Sequence, residues 1–180
     1  MFLVRRSAWF MKNVYLVGMM GSGKTSSGRA LARLLALPFV DLDDDITERD
    51  GHSINDIFES KGEPYFRTLE RELLLQVSRK TDQVIATGGG IVLDPANRLR
   101  MRETGHVIYL KTGLPVLWDR VKEKKDRPLL SGPDREQALA GLFYARTPLY
   151  ESSSDKVFLT DQKSPEAVAL EIYKACFEKR

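Results

Sequence analysis

Eight consecutive residues restrict what this chain can become more than any other feature. Gly18-Met19-Met20-Gly21-Ser22-Gly23-Lys24-Thr25 match the pattern G-x-x-x-x-G-K-[ST]. The run before them, Asn13 to Val17, is β-branched and aromatic and reads as a buried strand. After them, residues 25–37 carry Ala30, Leu31, Leu34 and Leu35 at helical spacing, and Pro38 ends the pattern. A glycine turn with a chance Lys-Thr would not need a strand before it and a helix behind it. In this context the glycines let backbone N–H groups turn inward around phosphates, and the helix N-terminus adds partial positive charge. Lys24 is placed to reach terminal phosphates and Thr25 to offer a hydroxyl to Mg²⁺. Gly21, Ser22, Gly23, Lys24, Thr25 and Ser26 are therefore the candidate nucleotide contacts.

The rest of the chain repeats the alternation. Strand-like runs are expected at residues 39–42, 83–87, 107–110 and 156–159, with helical patterns between them. Asp94-Pro95 and Ser164-Pro165 look like helix starts, and Asp134 with Gln137 resembles a capping box. Alternating strands and helices imply an α/β fold, a parallel sheet covered on both faces as a three-layer αβα sandwich, with sites at the carboxyl ends of the strands. Residues 122–132 are charged, hold Pro128 and lack periodicity, so a mobile loop without a fixed place in the core is expected there.

A length of 180 residues is that of one domain, expected over 12–180. Residues 1–11 lack the apolar run and cleavage site of a signal peptide and are expected to be a disordered extension. No stretch approaches the ~20 apolar residues of a membrane helix. The one cysteine, Cys176, excludes an internal disulfide, which suits a reducing cytosol. A net charge of +3, from 28 basic and 25 acidic residues, is too small to imply nucleic acid without a concentrated basic face. An anionic small molecule is the simpler partner.

A P-loop does not by itself choose between a kinase, an ATPase and a GTP switch. No N-K-x-D tetrapeptide is present, and the third strand ends in Thr87-Gly88 without a carboxylate. Asp41, at the end of the neighbouring strand, is the expected acidic support for a metal, and strand alternation would put Asp43 on the same face. Helix capping and a solvated turn are the alternative for this acid cluster, more so for Asp44 and Asp45 than for Asp41 and Asp43.

Taken together, GMMGSGKT, FVDLDDDI, Phe66-Arg67-Thr68-Leu69-Glu70, Gly88-Gly89-Gly90, Arg127-Pro128-Leu129-Leu130 and Arg146-Thr147-Pro148-Leu149-Tyr150, in that order, resemble the shikimate kinase family. The resemblance runs from Lys12 to the C-terminus. It implies a five-stranded parallel sheet in the order 2-3-1-4-5, a mobile lid, and transfer of the ATP γ-phosphoryl group to the 3-hydroxyl of shikimate with Mg²⁺. By the same resemblance, Lys24 and Arg127 would stabilise the transferring phosphoryl, with Arg127 carried on the lid. Asp43 would orient or deprotonate the hydroxyl, Arg67 and Arg146 would hold the substrate carboxylate, and the Gly89 backbone would approach the substrate where a Cβ would intrude. Thr25 and, through water, Asp41 would hold the metal. Lys163 falls in the loop that contacts adenine in the family, by side chain or backbone. The implied protein is a monomeric cytosolic enzyme whose partners are shikimate and MgATP, without nucleic acid or membrane.

Blander readings stand beside these. Arg67 and Glu70, at i and i+3, could be an exposed ion pair worth ~0.2–0.5 kcal/mol. Gly88 to Gly90 could be a flexible turn, and Arg127 one more solvated cation. His52, His106 and Cys176 have no evident partner and suit structural or surface roles. A gluconate-type small-metabolite kinase is the nearest rival function, and a nucleotide switch or an ATPase acting on nucleic acid the rival from another class.

Overall fold

The computed structural model describes residues 12–124, 127–130 and 132–178. Its centre is β1 (Asn13–Val17), buried at every position, as its apolar run requires. Strands β3 (Val84–Ala86) and β4 (Gly105–Lys111) flank it in parallel, with Tyr15 opposite Ile85 on one side and Val107 on the other. β2 (Phe39–Asp41) pairs with β3 and β5 (Lys156–Leu159) with β4, which gives the expected order β2-β3-β1-β4-β5.

Alternation along β1 sends its side chains into two separate cores. Val14 and Leu16 pack with Leu31 and Leu35 of α1 (Lys24–Leu35) and with Val168 and Ile172 of α7 (Pro165–Cys176). Tyr15 and Val17 face the other layer, which holds Leu73 and Leu74 of α3 (Ile54–Val77), Met101 of α4 (Pro95–Thr104), Leu117 of α5 (Leu114–Val121) and Tyr150 of α6 (Arg135–Ser153). α2 (Leu42–Asp50) follows β2 directly, and α3 is broken at Gly62, two residues before Pro64. Cys176 is buried, and burial pushes its thiol up to about 11, so it is an unreactive packing residue.

The helix starts read from sequence hold at two of three places. Asp94 accepts from the Ala96 N–H with Pro95 behind it, and Ser164 accepts from the Ala167 N–H with Pro165 behind it. At Asp134 no side-chain cap bond forms, so the capping box expected from Asp134 and Gln137 is absent. Arg135 anchors that end of α6 instead: its guanidinium donates to the carbonyls of Leu130 (2.9 Å), Lys122 (2.7 Å), Val121 (3.3 Å) and Lys124 (2.5 Å). Leu130 itself is buried in the core, so the segment 122–132 does have one fixed foot there. Its lack of periodicity hid a single apolar anchor, since periodicity needs several. The lid expected over this segment falls in part on residues 125, 126 and 131, and the extension over residues 1–11, both outside the described residues.

A second correction concerns the acids after β2. The strand ends at Asp41 and α2 begins at Leu42, so Asp43 lies in the first turn of a helix and not on the same strand. Strand alternation is therefore not what brings Asp41 and Asp43 together. Asp41 is the N-cap, and its Oδ1 accepts from the Asp43 N–H at 3.1 Å. Asp44 and Asp45 are also in that first turn, where the helix dipole favours acids.

Candidate active site

The carboxyl ends of the strands open onto a cavity of about 860 Å³. The P-loop and the Gly88–Gly90 turn both line it, with Gly89 packed against the backbone of Gly18 and Met20. Gly21, Ser22, Gly23, Lys24, Thr25, Ser26, Asp41, Asp43, Arg67, Gly89, Arg127, Arg146 and Lys163, scattered over 143 positions from first to last, all line this one space.

At the phosphate end, Gly23 caps α1 with φ 92°, a left-handed conformation that a side chain would resist. Lys24 arches back over the loop and donates to the carbonyls of Gly18 and Met19, each at 2.9 Å. Burial, helped by Arg127 and Arg146 and opposed by Asp43 and Asp41, lowers its pKa to about 8. The Thr25 hydroxyl donates to Asp41 Oδ2 at 2.7 Å, so the two groups expected at a metal are in direct contact. Among the described residues no cluster of three His, Cys, Asp or Glu side chains is suited to a metal. One hydroxyl and one carboxylate fit Mg²⁺, which keeps several waters and takes its remaining ligands from phosphates. Asp43 is pushed above its ordinary value by burial and by Asp41, while Lys24, Arg127 and Arg67 pull the other way.

Two further cations line this part of the cavity. Lys163 Nζ pairs with Glu171 Oε2 of α7 at 2.8 Å, so its ammonium is already engaged at the cavity edge. Arg120 donates to the Gly21 carbonyl at 3.0 Å and to the Thr160 carbonyl at 3.3 Å, tying α5 to the P-loop. Sequence reasoning missed Arg120 because it reads as an ordinary basic residue in the last turn of a helix.

At the other end, Arg67 is held from two sides. Its Nη1 donates to Glu70 Oε2 at 2.9 Å, and its Nε and Nη2 reach Glu63 Oε1 at 3.0 and 2.8 Å. Glu70 is 1% exposed, which removes the reading of this i,i+3 pair as solvated surface charge. Burial, with Asp43 nearby, raises Glu70 to about 7 against the pull of Arg67 and Arg146. Its second oxygen, Oε1, has no hydrogen-bond partner and lies 2.5 Å from where a Gly88 Cβ would stand; Asp43 Oδ1 lies 2.9 Å from the same point. A Cβ on Gly90 would fall on the Arg67 guanidinium. At Gly89 the nearest atoms, Met20 N at 3.5 Å and Gly18 O at 3.6 Å, are at ordinary contact distance. Within the chain's own packing, then, the tightness expected at Gly89 belongs to its two neighbours.

Arg146 enters from α6 and is 3% exposed, with its Nε unpartnered. An α-helix presents position i+4 beside i, and Tyr150 accordingly stands next to it, its hydroxyl donating to the Gly89 carbonyl. Glu70 and Tyr150 were visible only as members of short motifs. Nothing in their local sequence marks the first as buried or the second as touching the glycine turn.

The chain's relationships agree with this geometry. A family model described as shikimate kinase matches residues 20–177. The chain is similar to a shikimate kinase of Xylella fastidiosa, 42% identical over 160 residues that make up 89% of each protein. It is also similar to the structure of a shikimate kinase from Acinetobacter baumannii in complex with shikimate: TM-score 0.90, 38% identity, 93% of each chain covered. A gluconokinase from Sinorhizobium meliloti matches at TM-score 0.55 and 18% identity over 90% of this chain and 91% of that one, a likeness of fold alone. A strand-borne P-loop, an aspartate hydrogen-bonded to its threonine and two arginines on one cavity are thus found on a chain that belongs to the shikimate kinase family.

Proposed function

We propose that this enzyme transfers the γ-phosphoryl group of ATP to the 3-hydroxyl of shikimate, the step toward chorismate and the aromatic amino acids, as a cytosolic monomer. The observation that carries the choice of acceptor is the convergence of Arg67, Arg146 and Asp43 on the cavity that also holds the P-loop. A small polyol with one carboxylate needs a cationic grip at one end and a proton acceptor at the other, and these residues supply both.

The P-loop backbone and Lys24 would bind the phosphates, with Lys24 exchanging its two carbonyl acceptors for phosphate oxygens. Thr25 and Asp41 would hold Mg²⁺, which when bound neutralises phosphate charge. Arg127, which lines the same cavity, would add positive charge. Asp43 faces the hydroxyl and takes or orients its proton; a carboxylate raised by burial is a better base than a solvated one. Arg67, oriented by Glu63 and Glu70, and Arg146, with a free Nε, bind the carboxylate in charge-assisted hydrogen bonds. Closure of the segment bearing Arg127 would exclude water from the γ-phosphate. Phosphoryl transfer measured with MgATP against shikimate, gluconate, quinate and nucleoside monophosphates tests the reading. Shikimate is expected to be the best acceptor, and a better turnover of any other would overturn the assignment.

A further inference from the structure

Three glycines in succession have more backbone freedom than any other tripeptide and no side chains with which to anchor themselves. Gly88 and Gly90 nevertheless sit where small shifts would disturb Glu70 and Asp43 on one side and Arg67 on the other, which pack against the places their Cβ atoms would occupy, and Gly89 lies between them beside Arg146. The carbonyls of Gly88 and Gly90 accept from the Ile91 and Leu93 N–H groups at 3.2 and 3.0 Å, which leaves the Gly89 carbonyl to be held from outside the turn. Tyr150 does so from α6: its hydroxyl has one proton, and that proton goes to the Gly89 carbonyl. Because the peptide unit is planar and trans, fixing the Gly89 carbonyl also fixes the Gly90 N–H on the opposite side.

Tyr150 is itself rigid. It is fully buried, its ring stacks on Tyr109 of β4 with centroids 5.1 Å apart and an interplanar angle of 25°, and its hydroxyl lies 3.7 Å from Met19 Sδ of the P-loop. Burial pushes the hydroxyl above its ordinary value, so it stays protonated and able to donate. One helical turn before it, Arg146 projects from the same face of α6.

We infer that Tyr150 is a positioning residue for the acceptor, holding the Gly88–Gly90 turn in register with Arg146 so that both meet the acceptor in one geometry. The inference rests on the reading that the acceptor binds between Arg67, this turn and Arg146.

Tyr150→Phe removes the hydroxyl and keeps the stacked ring. The expected result is a rise of about three- to tenfold in KM for shikimate, with KM for ATP within about twofold of wild type and faster amide exchange at Gly89 and Gly90. An unchanged KM for shikimate, or equal rises for both substrates, would overturn the inference, since a merely structural role moves neither or both. Should the variant fold poorly, the shikimate-induced rise in Tm reads the same affinity: a smaller rise than in wild type supports positioning, and an equal rise sinks it. If wild type itself prefers another acceptor, the function assigned above fails, and the same pair of KM values measured with that acceptor still decides the part played by Tyr150.

Discussion

At the phosphate end of the cavity, Gly18 to Thr25 supply the loop, the cation and the metal-side hydroxyl from one short stretch, and Asp41 is added from the next strand. The acceptor end takes Asp43 from α2, Arg67 and Glu70 from α3, the glycine turn from beyond β3, and Arg146 and Tyr150 from α6. The first is backbone chemistry organised by local geometry, which a sequence motif encodes. The second is side-chain chemistry organised by packing, in which each group depends on a neighbour far away in the chain. The phosphate end should therefore fail through its chemistry when altered, and the acceptor end through loss of position.

Lys24→Met is expected to have the largest effect, a loss of at least about 10³-fold in kcat in a protein that stays folded, because it removes a cation where charge moves in the transition state. Burial disfavours the charged form of Lys24, so the variant's Tm should not fall; near-normal turnover would break the assignment of the phosphate end. For Asp43→Asn the expected loss is about 10²–10³-fold in kcat with ATP affinity retained, since an amide cannot accept the hydroxyl proton. A fall in ATP affinity alone would move Asp43 from the acceptor to the metal.

Arg67→Ala and Arg146→Ala should each weaken shikimate binding by about 1.5–3 kcal/mol, the scale of a charge-assisted hydrogen bond, with little change for ATP. Titrations indistinguishable from wild type would leave both arginines as structural partners of Glu70 and the core. Gly88→Ala and Gly89→Ala sharpen the comparison within the turn. The first drives a methyl against Glu70 and Asp43 and should destabilise the protein by about 1–3 kcal/mol, whereas the second meets only ordinary contacts and should cost less. Denaturant unfolding measures both, and equal losses would contradict the packing described.

The smallest expected effect is on pH dependence. Glu70 holds its proton up to about 7 in the folded protein against 4.5 for an ordinary glutamate. A raised carboxyl pKa stabilises the fold below the unfolded value, and that contribution is lost as pH rises from 4.5 to about 7. Over this window Glu70→Gln should gain stability relative to wild type. Deprotonated Glu70 also competes with the substrate carboxylate for Arg67, so wild-type shikimate affinity should fall a few-fold as pH rises through 7 and the variant's should not. Matching pH profiles would remove Glu70 from the acceptor end.

How much could be read beforehand differs along the same line. The five strands, the helix starts at Asp94 and Ser164 and the P-loop were all legible, because β-branched runs, caps and glycine patterns act over a few residues. Asp41 and Asp43 were expected on one face of a strand, whereas a helix N-cap brings them together, since two acids two apart look alike on a strand and at a helix N-terminus until the boundary is known. Only the order of motifs along the chain pointed Arg67 toward the cavity that it lines; its own spacing to Glu70 described a surface pair. The burial of Leu130 and the anchor at Arg135 left no local trace.

What the amino-acid order determined by itself was the alternation of strands and helices and a phosphate cradle at the end of β1, because both follow from backbone preferences of adjacent residues. What only tertiary structure decided was which charges are buried and what each faces: Glu70 at 1% exposure against Arg67, Tyr150 against the Gly89 carbonyl, Arg120 against Gly21. Burial and electrostatic environment are properties of everything packed around a group, and for these residues most of that surrounding comes from segments tens of positions away.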